Sequence, residues 1–78
     1  MDGDIGEFVG RSLKQAIAAA GMDDEMFTYA QTDKRLGQVL DRGLSEVANK
    51  GTVTQRLKVN SIINWYARLL AKEVKAVS

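Results

Sequence analysis

The side chains best suited to catalysis form only two carboxylate clusters in this chain of 78 residues. The first is Asp2-Gly3-Asp4 and the second is Asp23-Asp24-Glu25. Both lie at predicted helix starts, where acidic side chains are favoured by the positive end of the helix dipole. The chain has no histidine and no cysteine, so it lacks Ser-His and Cys-His pairs and the commonest transition-metal ligand. We therefore predict that the protein is not an enzyme and uses no cofactor.

Two ligand-binding motifs are excluded by spacing. If Asp2 began a calcium loop, the position of its bidentate glutamate would be occupied by Leu13 and its glycine position by Glu7. Neither the GxxxxGKS/T pattern nor the GxGxxG pattern of phosphate-binding loops is present. The sequence therefore predicts no metal site and no small-molecule substrate.

The formal net charge of +1 conceals a strong division along the chain. Residues 1–33 carry seven acids and two bases, a charge of −5, whereas residues 34–78 carry nine bases and three acids, a charge of +6. Such an asymmetry can steer a charged partner to one end or favour head-to-tail contact between copies. The alternative interpretation is that these charges simply lie on solvent-exposed helix faces and have no role in binding a partner.

Apolar residues recur at helical spacing between two glycines that mark breaks, Gly21 and Gly51. Each is expected to adopt the left-handed conformation that ends a helix. This pattern predicts an all-α fold: one small domain over residues 1–78 with three to four helices and a long C-terminal helix, in an oligomer. The predicted helices span residues 4–20, 24–31, 33–49 and 53–77. Residues 23–31 are ambiguous, because Phe27-Thr28-Tyr29 has the β-propensity of a short strand, but we favour a helix.

Local signals predict how these helices begin and pack. Asp2 or Asp4 is expected to cap the first helix and Thr32 the third. Thr52 to Gln55 has the spacing of a capping box before the last helix. Gly43 lies within an apolar stripe, which indicates a close approach to a neighbouring helix.

The last helix is the main candidate for an interaction surface. Its 25 predicted residues span about 37 Å, whereas a compact chain of this length has a diameter near ~30 Å. Its C-terminal apolar residues are therefore expected to be partly exposed unless a partner covers them. Trp65 lies at the margin of the stripe, either as an interface anchor or as a lid over the core. The predicted partner-binding residues are Trp65, Leu69, Leu70, Val74 and Val77.

A second interpretation depends on residues 13–43, which are 31 of the 78 residues. Residues 13–22 resemble the end of the first helix in repressor-type helix-turn-helix domains, with their alanine–glycine–hydrophobic step. Residues 40–43 (Leu-Asp-Arg-Gly) are similar to the end of the recognition helix in those domains. The resemblance implies a dimeric DNA-binding regulator with helix 33–49 as its reading helix. Its DNA-binding residues would be Lys34, Arg35, Gln38, Arg42 and Asn49.

No apolar run approaches the ~18–20 residues that a membrane span needs, and the N-terminus is acidic where a signal peptide is basic. We expect a cytoplasmic protein with no membrane association. Its small size is typical of proteins encoded by phages and plasmids.

We favour a helical interaction protein: a self-assembling subunit, an adaptor or an inhibitor of a larger protein machine. The DNA-binding regulator is the alternative.

Overall fold

The chain folds into four α-helices. A computed structural model describes residues 5–77. The helices are α1 (Ile5–Ala19), α2 (Asp24–Thr32), α3 (Lys34–Glu46) and α4 (Thr52–Val77). Within this part of the chain there is no strand, so the predicted all-α fold with its long C-terminal helix is confirmed. The ambiguous segment 23–31 is helical from Asp24 onwards, and Asp23 is the N-cap of α2.

The helix ends agree with the predicted ones to within three residues. The largest difference is at α3, which ends at Glu46 and is followed by a turn, so that Asn49 lies beyond the helix. Gly21 and Gly51 have φ angles of +81° and +89°, which confirms their predicted left-handed conformation. The predicted capping residues Asp2 and Asp4 lie outside the described residues.

The start of α4 differs from the predicted capping box. Gly51 occupies the N-cap position, because its carbonyl accepts a hydrogen bond from the backbone N–H of Gln55 at 3.1 Å. The side-chain amide of Gln55 donates instead to the carbonyl oxygens of Ala48 at 3.1 Å and Val47 at 3.5 Å. The last carbonyl groups of a helix and its turn lack intrahelical partners, so Gln55 closes the end of α3 rather than the start of α4.

Helix α4 is the element on which the others are arranged. Helices α1 and α3 pack along α4, and α2 packs against α1. All four helices contribute to one apolar core, in which burial of side chains supplies the main stabilisation. The buried core residues are Leu13, Ala16, Ile17, Ala30, Leu36, Leu40, Val59, Ile63, Tyr66, Ala67 and Leu70.

The molecule is elongated along α4, with extents of 42 × 23 × 18 Å. The 26 residues of α4 account for about 39 Å of that length, so the helix is longer than the ~30 Å diameter of a compact chain of this size, as predicted. Leu70 is only 1% exposed, and its predicted partial exposure is therefore wrong. Leu70 belongs to the buried core cluster, and Met26 of α2 packs against that cluster.

Gly43 allows α3 and α4 to approach closely, as predicted. It is buried, and a Cβ atom at this position would collide with Cδ1 of Ile62 and lie 3.3 Å from Cε of Lys58. By contrast, a Cβ atom on Gly37, on the exposed side of α3, would meet no other group within 4 Å. The two glycines of α3 therefore have opposite roles.

We expect Gly43→Leu to lower the free energy of unfolding by about 1–3 kcal/mol, because the added side chain overpacks the α3–α4 contact. Gly37→Ala should raise it by up to ~1 kcal/mol through helix propensity. Urea unfolding followed by circular dichroism measures both. A Gly43→Leu variant as stable as the wild type would contradict the close approach.

Candidate interaction surfaces

Asp33 is the single residue that separates α2 from α3, and it caps both helices. Its backbone N–H donates to the carbonyl of Ala30 at 3.2 Å, and its Oδ1 accepts from the N–H of Arg35 at 3.0 Å. Its extended backbone, with φ −74° and ψ 115°, is the conformation of an N-cap residue. The prediction of Thr32 as this cap was wrong: Thr32 is the last residue of α2, and its hydroxyl donates to the carbonyl of Tyr29.

The same carboxylate joins the α2–α3 junction to α4. The Tyr66 hydroxyl donates to Oδ2 of Asp33 at 2.7 Å, and the Arg35 guanidinium donates to the same oxygen at 2.9 Å. Arg35 then reaches Glu73 on α4, with Nη1 at 2.7 Å from Oε2 and Nη2 at 2.9 Å from Oε1. We refer to Asp33, Arg35, Tyr66 and Glu73 as the Asp33 network.

Displaced pKa values mark the same four groups. The hydrogen bond from the Arg35 side chain, with a smaller contribution from Tyr66, lowers the pKa of Asp33 from 3.8 to about 2. Hydrogen bonding to Arg35 also lowers the pKa of Glu73, and the two carboxylates raise the pKa of Arg35. Burial, followed by the bond to Asp33, raises the pKa of Tyr66. Each displacement has a structural cause, so none of these groups requires a catalytic role.

The Asp33 network engages Arg35, one of the residues predicted to bind DNA. Arg35 is held in ion pairs with Asp33 and Glu73. Lys34, Gln38 and Arg42 lie exposed at four-residue intervals along α3, while Asn49 lies in the turn beyond it. Helix-turn-helix motifs join their helices through a turn of about 3–4 residues, whereas Asp33 alone separates α2 from α3.

An open groove lies between α2 and the C-terminal part of α4. We refer to it as the α2–α4 groove; its volume is about 690 Å³. Buried Leu70 lies at its base, and Tyr29 is half-exposed along it. Val77, further along α4, is 88% exposed. The lining residues are Glu25, Met26, Tyr29, Leu70, Glu73, Val74 and Val77.

A second apolar surface runs along the outer side of α4. Val53, Leu57 and Trp65 are exposed by 74%, 64% and 48%. They follow one another at intervals of four and eight residues, along a path that turns by about 120° around the helix from Val53 to Trp65. We refer to these three residues as the outer stripe. Trp65 also borders a shallow groove of about 460 Å³, which it shares with Val39, Ser61, Ile62 and Arg68.

The structure divides the predicted partner-binding residues between these surfaces. Val74 and Val77 line the α2–α4 groove and are exposed as predicted, whereas Trp65 lies on the outer stripe. Leu70 belongs to the core, and Leu69 is partly buried.

Val53 and Leu57 were not among the predicted residues, although their spacing from Trp65 is visible in the sequence. Met26 and Tyr29 were not predicted either, because their place in the groove depends on tertiary packing.

Other kinds of site find no support in residues 5–77. In this range no group of three or more histidine, cysteine or acidic residues is arranged to hold a metal ion. None of the helices described is both long enough and apolar enough to cross a membrane.

Comparisons of the chain with protein-family models, curated proteins and solved structures found no match.

We expect Asp33→Asn to lower the free energy of unfolding by about 1–2 kcal/mol at neutral pH, because the network loses its central charge. The pKa of Asp33 is lower in the folded state than in the unfolded state. Its contribution is therefore complete above about pH 4 and is lost as the pH falls towards about 2. Urea unfolding of both proteins across this pH range measures the difference.

Asp23→Asn is the matched control for this experiment. Asp23 caps α2 by accepting from the N–H of Met26, and asparagine caps a helix about as well as aspartate. The control should remain close to the wild type in stability. Equal losses of stability in the two variants at neutral pH would contradict the role assigned to Asp33.

Proposed function

We propose that this chain is a small, non-enzymatic helical interaction protein that binds protein partners through apolar side chains of α4. The observation that carries this proposal is that α4 has apolar side chains on two sides. One side supplies Val59, Ile63 and Leu70 to the core, and the other exposes the outer stripe. Exposed apolar residues grouped on one face are typical of interaction sites.

The composition of the outer stripe also supports a binding role. Tryptophan is enriched among the residues that dominate binding energy at protein interfaces, and Trp65 is the only tryptophan in the chain. Its position next to a shallow groove lined by Val39 and Ile62 gives a partner side chain an apolar surface to contact. The roles compatible with this surface are a self-assembling subunit, an adaptor or an inhibitor of a larger protein machine.

A non-enzymatic role agrees with the available chemistry. The chain contains neither histidine nor cysteine, and the displaced pKa values belong to the Asp33 network. Those four side chains bond to one another across helices, so they act as structural links.

We expect Trp65→Ala to reduce recovery of bound partners about tenfold or more, the usual effect of truncating a residue that dominates an interface. The experiment captures proteins on the immobilised chain from an extract of its source organism, followed by quantitative mass spectrometry. Gln15→Ala, an exposed change on α1, is the control and should retain the partners. If wild type and Trp65→Ala recover the same proteins in equal amounts, the outer stripe is not the interface.

DNA binding by α3 is a second candidate, supported by the exposed row Lys34, Gln38 and Arg42. Such side chains contact phosphates and base edges in protein–DNA complexes. Arg35 would contribute little to DNA binding, because its guanidinium group already forms ion pairs with Asp33 and Glu73.

For this candidate we expect Lys34→Ala combined with Arg42→Ala to weaken duplex binding and to reduce its salt slope by about two, roughly 0.9 for each phosphate contact removed. Fluorescence anisotropy with a labelled DNA duplex, measured over a range of salt concentrations, gives both quantities. Absence of wild-type binding at low salt would exclude the candidate.

A further inference from the structure

The α2–α4 groove lies on the opposite side of α4 from Leu57 and Trp65, the two residues of the outer stripe nearest the middle of the helix. Leu70 in the groove follows Leu57 by thirteen residues and Trp65 by five, which places it about 140° around the helix from each of them. A partner bound at one surface therefore leaves the other surface accessible, and one molecule can use both at once.

The two surfaces carry opposite charge. The groove lies beside the start of α2, where the N-cap Asp23 is followed by Asp24 and Glu25 in the first turn, and Glu25 lines the groove. The other acidic residue of its lining, Glu73, is already paired with Arg35, so the excess negative charge is at the α2 end. The outer stripe continues along α4 into exposed Arg68 and Lys72.

The apolar parts of the two surfaces also agree in length. Leu57 and Trp65 are eight residues apart on α4, or about 12 Å. The α4 side of the groove runs from Leu70 to Val77, which is seven residues or about 10 Å. A groove of about 690 Å³ provides room for side chains as large as leucine and tryptophan.

We infer that this chain associates with itself head to tail: the outer stripe of one copy binds in the α2–α4 groove of the next. Leu57 and Trp65 enter the apolar part of the groove, while Arg68 and Lys72 approach the acidic first turn of α2. Such a heterologous contact leaves an unused stripe at one end and an unused groove at the other, so further copies add to form chains or a closed ring. The inference depends on the proposed function only in treating these surfaces as binding surfaces.

The test uses one variant for each surface and then mixes them. Leu57→Glu places a negative charge in the outer stripe, and Tyr29→Lys places a positive charge in the groove; both positions are exposed. Gln15→Glu changes the charge by the same amount as Leu57→Glu on exposed α1 and is the control. Analytical ultracentrifugation from low micromolar to several hundred micromolar protein measures the mass, and circular dichroism verifies folding of each variant.

We expect the mass of wild type and Gln15→Glu to increase with concentration, and each surface variant to stay at the 8.6 kDa of one chain. An equimolar mixture of the two surface variants should form a dimer of twice that mass. This follows because the Leu57→Glu chain keeps an intact groove and the Tyr29→Lys chain keeps an intact stripe.

Two results would overturn the inference. One is a wild-type protein that stays monomeric over the whole concentration range. The other is a dimer that Leu57→Glu abolishes, that Tyr29→Lys preserves and that mixing does not restore, which indicates a symmetric contact between two outer stripes. In the first case, capture of a different protein that depends on Trp65 would leave the proposed function intact while this inference fails.

Discussion

The arrangement of the helices depends on the carboxylate of Asp33. A chain that turns from α2 into α3 at one residue leaves several backbone groups without helical partners at the same point. Asp33 forms hydrogen bonds with two of these groups, the carbonyl of Ala30 and the N–H of Arg35. Its carboxylate also accepts a hydrogen bond from the Tyr66 hydroxyl in the middle of α4. A largely buried carboxylate is stable only when such bonds replace its hydration. The Arg35 guanidinium supplies a further hydrogen bond to this carboxylate and also bonds to Glu73 on α4.

This network also determines the surfaces that remain for binding. Glu73 bonds to Arg35 and lines the α2–α4 groove, so the link that fixes the start of α3 against α4 also fixes one wall of the groove. Met26 and Tyr29 on the other wall belong to α2, whose end is capped by Asp33. Because Arg35 is committed to these bonds, α3 presents a weaker basic face than its sequence indicates. Leu57 and Trp65 of the outer stripe lie on the opposite side of α4 from the groove.

Local sequence signals predicted the helices well because helical periodicity and left-handed glycines are local properties. They failed where the outcome depends on residues distant in the chain. Asp33 and Tyr66 are 33 residues apart, and no spacing pattern indicates that they meet. The burial of Leu70 likewise depends on how the helices pack into one core. The side of α4 that faces the core was predicted from its apolar stripe, but Val53 and Leu57, which lie outside that stripe, were not recognised as exposed apolar residues.

Self-association requires the outer stripe of α4 to lie in the α2–α4 groove of the next copy, as we propose. Because Trp65 is the only tryptophan and is 48% exposed in the isolated chain, its fluorescence reports directly on that surface. As protein concentration increases, the emission maximum should move to shorter wavelength and quenching by acrylamide should weaken. Tyr29→Lys, which leaves the stripe unchanged, should abolish both changes. An emission maximum and quenching that stay constant with concentration in the wild type would contradict the account.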